Sequence, residues 1–575
     1  MRGQQLSKLA SWQGVMPRVL IGLALLAFVG YFIVYLIYAG ALFQFPFDYD
    51  QGEGFELMDT VLFSQGQWPY RDNNIYPFYS SNYPPLFHIF IVPLVWLFGP
   101  QYWTGRLVSF LGTVITAVAI AYAVGRENRN TEFRRGDTDI HREGKEGKTS
   151  ALAAFPRLAF LGKRPWLSLI VGLGFLASNY VYHVGPLFRQ HLFMVMFETL
   201  AVVWLARTID REEVTGQRNN KALLVVMLLL LFAGYTKQLA YATVAAVFLF
   251  LFLRQPKRSV LWAVPFGAVT GLIFLWLNSA TDGFWFLDTV TANVNPFVPG
   301  QAEGLFRQWF RLHTLFIIAA AGFAGYQLYF ERLSIYSVWF IVAAVNSVTA
   351  GKWGAGESYF ATAIAASLIL TGLAFNRLLD WSEKRGTNYT FALQIIIPLL
   401  FLWQAGKLFH MPTHTPTLAA IASALGQPTE VMIAPQTSCS APRDPEPIPY
   451  VDSAGVSLLG RPPSKADTAA GIAITELIAQ GDTPAFAEDA GFNFYLGRDI
   501  VTNPTQFLNL YKNNAVDLTE MLAMLDAQAF DTVVLRAQFY PPEALNIIGQ
   551  RYETTDLVQM NGFVYCVMTP RQESQ

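Results

Sequence analysis

Charge is what this sequence has least of. Of its 575 residues only 14% are Asp, Glu, Lys or Arg, while 53% are hydrophobic; a soluble domain carries about 25% charged residues. A chain of this length would accommodate about three or four soluble domains, but the scarcity of charge and the long apolar runs exclude that architecture. Neither sign dominates. The net charge of −1 leaves none of the cationic excess with which proteins neutralise nucleic-acid phosphates, so a nucleic-acid partner is not expected. Cysteine is nearly absent. Cys439 and Cys566 are the two in the chain, too few for a disulfide framework. They can pair if the C-terminal end lies outside the cytoplasm; Cys566, inside a strand-like run, also suits a core position. A cleavable leader is not expected either. No charged side chain occurs between Val19 and Phe47, which is too long for a signal h-region and long enough for a membrane anchor.

What is present is a succession of apolar runs, at 19–47, 107–124, 166–183, 192–206, 222–234, 239–253, 260–278, 312–329, 333–348, 359–375 and 391–408. They predict a polytopic α-helical membrane protein with about 11 spans. The run Leu86–Phe98 is shorter and carries Pro93; it reads as an interfacial or re-entrant helix rather than a span. With that run kept on one side, the positive-inside rule is decisive. The N-terminus and the loops starting at 126, 207, 254, 332 and 376 then share a face with 24 Lys and Arg, whereas the opposite loops offer Arg71, Arg189, Lys237, Arg307 and Lys352. Letting 86–98 cross would swap the later loops and collapse the bias. The reading is therefore an integral membrane protein with its N-terminus cytoplasmic and its C-terminal tail on the far side. Residues 1–409 form the membrane domain. Within it, 126–165 is a charged cytoplasmic linker and 43–102 the first outer loop. Residues 410–575 form a small extracytoplasmic α/β domain, with strands expected at 430–434, 485–488, 532–535 and 563–568 and helices at 466–479, 518–527 and 542–549.

The chemistry-bearing residues gather on the outer face. The first loop sets Asp48, Asp50, Glu53, Glu56 and Asp59 within twelve residues. The apolar spacing from Glu53 to Gln65 predicts an amphipathic helix along the membrane surface. Asp50 and Glu53 sit at its start. There a carboxylate can simply cap the helix, worth about 1 kcal/mol for Asp50, or act as a general base or metal ligand. Arg106 opens the second span. Arg189 and His191 occupy one outer turn, Lys237 and Gln238 another, and Glu357 opens a later span. Any one cation at a helix end can snorkel. Several beside clustered carboxylates suggest a site for a phosphate leaving group and a base acting on a hydroxyl.

These residues resemble the GT-C glycosyltransferases, in particular the dolichyl-phosphate-mannose-protein mannosyltransferase and aminoarabinose-transferase-like branch. The resemblance lies in Asp50-Gln-Gly-Glu53-Gly54 after one span, Gly66-Gln-Trp-Pro69-Tyr70-Arg71-Asp72, Asn82-Tyr83-Pro84-Pro85-Leu86, and Phe98-Gly99 followed by Arg106-Leu107. Thr236-Lys237-Gln238 and Gly356-Glu357-Ser358-Tyr359 echo later outer turns. The resemblance implies an inverting, envelope-associated enzyme that moves a sugar from a polyprenyl-phosphate donor to a glycan, lipid or protein acceptor on the outer face. It implies Asp50 or Glu53 as catalytic carboxylate, with Asp48 a third candidate, and a divalent cation, if one is used, on Asp50 and Glu53. Arg106, Lys237 and Arg189 would bind the donor phosphate, and Asp48, Tyr83, His88, His191, Gln238 and Glu357 would line the substrate groove. Three departures stand out: Gln51 and Gly52 separate the acidic pair, Tyr83 stands where relatives often carry Lys or His, and the turn Arg189-Gln-His191 has His where Asp is common. Competing readings are a lipid-linked sugar transporter, against which the absence of an internal repeat counts; a non-catalytic scaffold of envelope assembly; and a related oligosaccharide ligase, disfavoured by the modest loop 279–310.

Overall fold

The computed structural model describes residues 2–136, 161–409, 411–412, 415–426 and 461–572, with side chains from residue 15 onward and not for 127–136. Its membrane part consists of α1 (Arg2–Gln44), α2 (Glu53–Ser64), α3 (Leu86–Phe98), α4 (Tyr102–Gly136), α5 (Pro165–Ala177), α6 (Asn179–Tyr182), α7 (His191–Thr215), α8 (Asn220–Thr236), α9 (Tyr241–Arg254), α10 (Pro256–Ala280), α11 (Phe284–Thr289), α12 (Pro299–Leu312), α13 (Thr314–Phe330), α14 (Ile335–Asn346), α15 (Ala361–Arg385) and α16 (Thr387–Leu408). Six of the described helices are long and apolar enough to cross a bilayer, or seven if α12 and α13, bent by 90° at His313, count as one. Five more apolar helices are shorter, α3 among them.

Composition explains who sits where. The α15 window is 89% buried, and its first half reads Ala-Thr-Ala-Ile-Ala-Ala-Ser. Small residues let neighbouring backbones approach: a methyl on Gly372 would meet Val124 of α4 at 2.5 Å. The α10 window, rich in exposed Leu, Val and Trp, is only 6% buried and marks the lipid-facing rim. The run expected at 166–183 stops short. The helix ends at Ala177, Ser178 turns extended, and the single turn α6 follows.

Beyond the bundle lies a four-stranded sheet: β1 (Phe486–Ala487), β2 (Val533–Leu535), β3 (Tyr552–Met560) and β4 (Phe563–Pro570), in the order β1-β2-β4-β3. β1 and β2 run parallel; β4 is antiparallel to β2 and β3. Three of the expected strands and all three expected helices of this region are present. The segment 430–434 and Cys439 lie outside the described residues, and Cys566, in β4, is disulfide-bonded. β3 was not anticipated because its middle is exposed and polar. Asn561 and Gly562, both at positive φ, close the β3–β4 hairpin as a two-residue turn of that handedness requires.

Candidate active site

Two glycines shape the first loop. A Cβ on Gly52 would lie 2.3 Å from the Arg189 guanidinium, and one on Gly54 would lie 2.6 Å from Ala490 Cβ of the α/β unit. The motif Asp-Gln-Gly-Glu-Gly thus lets a cation approach one side of the α2 start and a second domain approach the other. Helix capping is not done by Asp50, contrary to the sequence expectation. The Gly54 amide donates to Asp48 Oδ1 (2.6 Å), and Glu53 reaches back to accept from the Tyr49 amide at 2.9 Å. The helix is also more enclosed than a surface-lying one. Glu53, Glu56 and Asp59 are all buried.

The acidic residues consequently divide by task. Glu53 and Arg106 are both fully buried and paired through two hydrogen bonds, of 2.9 and 2.7 Å. Arg106 spends its remaining donors on the carbonyls of Leu42, Phe45 and Phe47, and Glu53 Oε1 also accepts from the Phe188 amide. Burial works to raise the Glu53 carboxyl, but the adjacent Arg106 guanidinium outweighs it and holds the group below its ordinary range. Arg106, expected to bind the donor phosphate, and Glu53, expected as catalyst or metal ligand, together fasten the end of α1, the start of α2 and the start of α4 at one point. Asp48 is likewise committed, accepting from Tyr102 Oη (2.8 Å) and the Gly491 amide (2.7 Å). Burial, then the neighbouring Asp489, pushes its carboxyl up to about 8.

Asp50 is placed differently. Its Oδ2 accepts from Arg189 Nε (2.6 Å) and Nη2 (2.5 Å), while no hydrogen bond to Oδ1 occurs among the described residues. Asp50 and Arg189 border a cavity of about 390 Å³ with Glu56, Tyr83, His191, Lys237 and Tyr359. Glu56 Oε1 lies 3.6 Å from Arg189 Nη1. Burial raises Glu56 to about 8, with Arg189 opposing. Lys237 Nζ stands 4.8 Å from the Tyr83 ring centroid and 5.4 Å from that of Tyr359, a cation–π arrangement. Burial, then Arg189, lowers its ammonium to about 7. Asn503, Thr505 and Phe539 of the α/β unit complete the lining. Glu488 holds Phe539 in place by accepting from the amides of Arg536 (2.5 Å), Ala537 (2.7 Å) and Phe539 itself.

Five connections of the bundle and the α/β unit therefore converge on one cavity. Of the sequence-predicted residues it gathers Asp50, Arg189, Lys237, Tyr83 and His191. The others are elsewhere. Gln238 donates to the Thr289 carbonyl at 3.0 Å, Glu357 pairs with His183 at 2.5 Å, and His88 lies behind Glu56 at 3.3 Å. Glu56 was counted in the acidic run but given no role, and Phe539 was not singled out. Glu56 carried a usable signal, since i, i+3 spacing puts it on the Glu53 face of α2. Phe539, 489 residues from Asp50 in the sequence, carried none.

No family model matches the chain, and no curated protein matches it by sequence. Among solved structures it is similar to ArnT, the aminoarabinose transferase, from Cupriavidus metallidurans. With undecaprenyl phosphate bound, the TM-score is 0.52 at 14% identity, covering 94% of this chain and 97% of that one; for the apo state it is 0.51 at 14%, covering 94% and 98%. A looser likeness, TM-score 0.48 at 10% identity, covers 88% of this chain and 69% of the Archaeoglobus fulgidus oligosaccharyltransferase. The chain thus shares its fold with the aminoarabinose transferase over nearly the whole length of both.

Proposed function

Taking that fold as premise, we propose that the protein is a membrane glycosyltransferase that moves a sugar from a polyprenyl-phosphate donor to an acceptor hydroxyl. The observation that carries this is the pairing of Asp50 with Arg189 on a cavity that also presents Glu56 and Lys237. The acceptor oxygen attacks the anomeric carbon as the bond from that carbon to the phosphate oxygen breaks. The proton passes to Asp50 through its free Oδ1, and the lipid phosphate departs with the electron pair. Attack opposite the leaving group inverts the anomeric centre. Arg189 and Lys237 offset the phosphate charge, Arg189 with a planar fork suited to phosphate oxygens. A donor phosphate competing for Arg189 would loosen its hold on Asp50 and free the carboxylate to meet the acceptor hydroxyl.

The same reading sets the topology. Counting the six long helices, the bent pair and the short helices Pro165–Ala177, Asn220–Thr236, Gln238–Arg254 and Ile335–Gly351 as spans, with α3 interfacial, gives eleven. The cation bias puts the cavity and the α/β unit on the extracytoplasmic side of the plasma membrane. The convergence of connections that all fall on one face under that count supports it. In an assay of labelled-sugar transfer from a polyprenyl-phosphate donor, Asp50→Asn is expected to cost at least ~100-fold in turnover, as loss of a general base does, while the protein stays folded. Wild-type turnover in Asp50→Asn would remove Asp50 from the reaction. Transfer of intact donor across vesicles without sugar transfer would favour a transporter instead.

A further inference from the structure

Behind the cavity wall, Glu56, Asp59 and His88 bring one ligand atom each within 4.8 Å of one another, all three buried. Glu56 and Asp59 share a face of α2 at i, i+3 spacing; His88 comes from the first turn of α3. The histidine tautomer follows from its neighbour. Thr60 Oγ1 donates its only proton to the Glu56 carbonyl (2.8 Å), so at 3.1 Å it can only accept from His88 Nδ1. The lone pair of His88 is therefore on Nε2. That atom is fully buried, has no hydrogen-bond partner, and points at Glu56 Oε2 (3.3 Å) and Asp59 Oδ2 (3.6 Å). Three electron-pair donors this close are held together by a proton or a cation among them, and the convergence of one ligand atom from each residue suits a cation.

We propose that a divalent first-row transition ion of the zinc type is held by Glu56, Asp59 and His88. Metal bonds of about 2.0–2.1 Å in a tetrahedron give ligand–ligand edges of about 3.3–3.4 Å, close to the two separations measured at Nε2. The imidazole selects this class over magnesium or calcium, which take oxygen ligands. Outer partners are in place: Thr60 on the imidazole, and Tyr79 Oη (2.7 Å) and Ser81 Oγ (2.5 Å) on Asp59, as orientation of metal ligands requires. Three protein ligands leave one position open. The ion would lock α3 to α2 and fix Glu56, whose other oxygen faces the cavity. The site is separate from Asp50 and Glu53 and does not depend on the transferase reading.

The test is metal content of the full-length protein in detergent. About one zinc per chain is expected after gel filtration. Chelation should lower Tm by several degrees and added Zn²⁺ should restore it. Co²⁺ loading should give the intense visible bands of a four-coordinate ion. His88→Gln should lose the ion and the Zn²⁺-dependent Tm shift, while Asp50→Asn should keep both. Protein that holds no stoichiometric metal after Zn²⁺ loading overturns the proposal, leaving a shared proton among the three groups. So does an ion retained in His88→Gln or lost in Asp50→Asn. Sugar transfer is not part of the readout.

Discussion

At the scale of single residues, the acidic motif is a set of neighbours with unlike duties. Gly52 has the sharpest consequence. A methyl there collides with the Arg189 guanidinium, the far end of a flexible side chain, so the side chain moves rather than the fold. Gly52→Ala should shift Tm by less than the loss of a buried pair does, since the guanidinium can swing toward the cavity it borders, yet raise donor KM roughly tenfold or more. Unchanged donor KM would mean that Arg189 has no part in binding. Arg106→Ala should do the reverse. Removing one partner of a fully buried pair costs about 3–5 kcal/mol, so the variant should lose thermal stability or fail to accumulate, and Arg106→Lys, without the planar fork, should rescue it poorly. A stable Arg106→Ala with only a donor defect would restore the phosphate role. Lys237 gives the pH dependence. Its folded pKa lies near 7, below the ordinary lysine value. The charged form that attracts phosphate is therefore complete below that pH and lost as pH rises through it. Donor affinity should fall between about pH 6 and 8, and this slope should vanish in Lys237→Arg, which stays charged throughout. The sequence made the acidic motif and its outer cations legible. It could not sort them, because Asp48, Asp50 and Glu53 differ only in which distant group each one meets.

At the scale of elements, periodicity located the helices and misjudged their surroundings. Leu86–Phe98 forms the short helix expected of a 13-residue run, and Trp96 Nε1 ties it to the Ser64 carbonyl at 2.9 Å. The amphipathic pattern of α2 was correct, but its polar face is covered rather than wetted, so carboxylates placed on a surface by pattern are in fact buried. The right-angled break at His313 left no mark that hydropathy reads; there the His313 ring contacts Ser178 at 2.8 Å, joining the break to the one after α5. Within α7, Glu198 is buried between Thr243 (2.6 Å) and Thr362 (2.7 Å), with Trp339 donating to Thr243. That network ties α7, α9, α14 and α15 through hydrogen bonds inside the bundle, where apolar packing alone gives little directional preference.

At the scale of the whole molecule, the cation count and the cavity speak to the same geometry. A reporter fused after Leu152 should read cytoplasmic and one after Gln427 extracytoplasmic; the opposite pair of results would invert the protein, and two like results would change the parity of spans. The bundle was legible as a succession of apolar runs because lipid imposes a length on every crossing. The roof of the site was not, since its residues meet the bundle only through the folded α/β unit: Asn503 Nδ2 donates to the Ser80 carbonyl at 3.1 Å, and Gly491 meets Asp48.

That last contact has a bearing on how the protein is made. Asp48 emerges from the ribosome 443 residues before its partner Gly491. The knot at Arg106 can tighten once α4 has been delivered to the membrane, and Arg189 can reach Asp50 soon after. Domains generally fold as units in the order of synthesis, so the cavity takes shape in instalments and is closed only by the end of the chain. A nascent protein halted after its final helix would sit in the bilayer with its anchor formed and its cavity still unroofed.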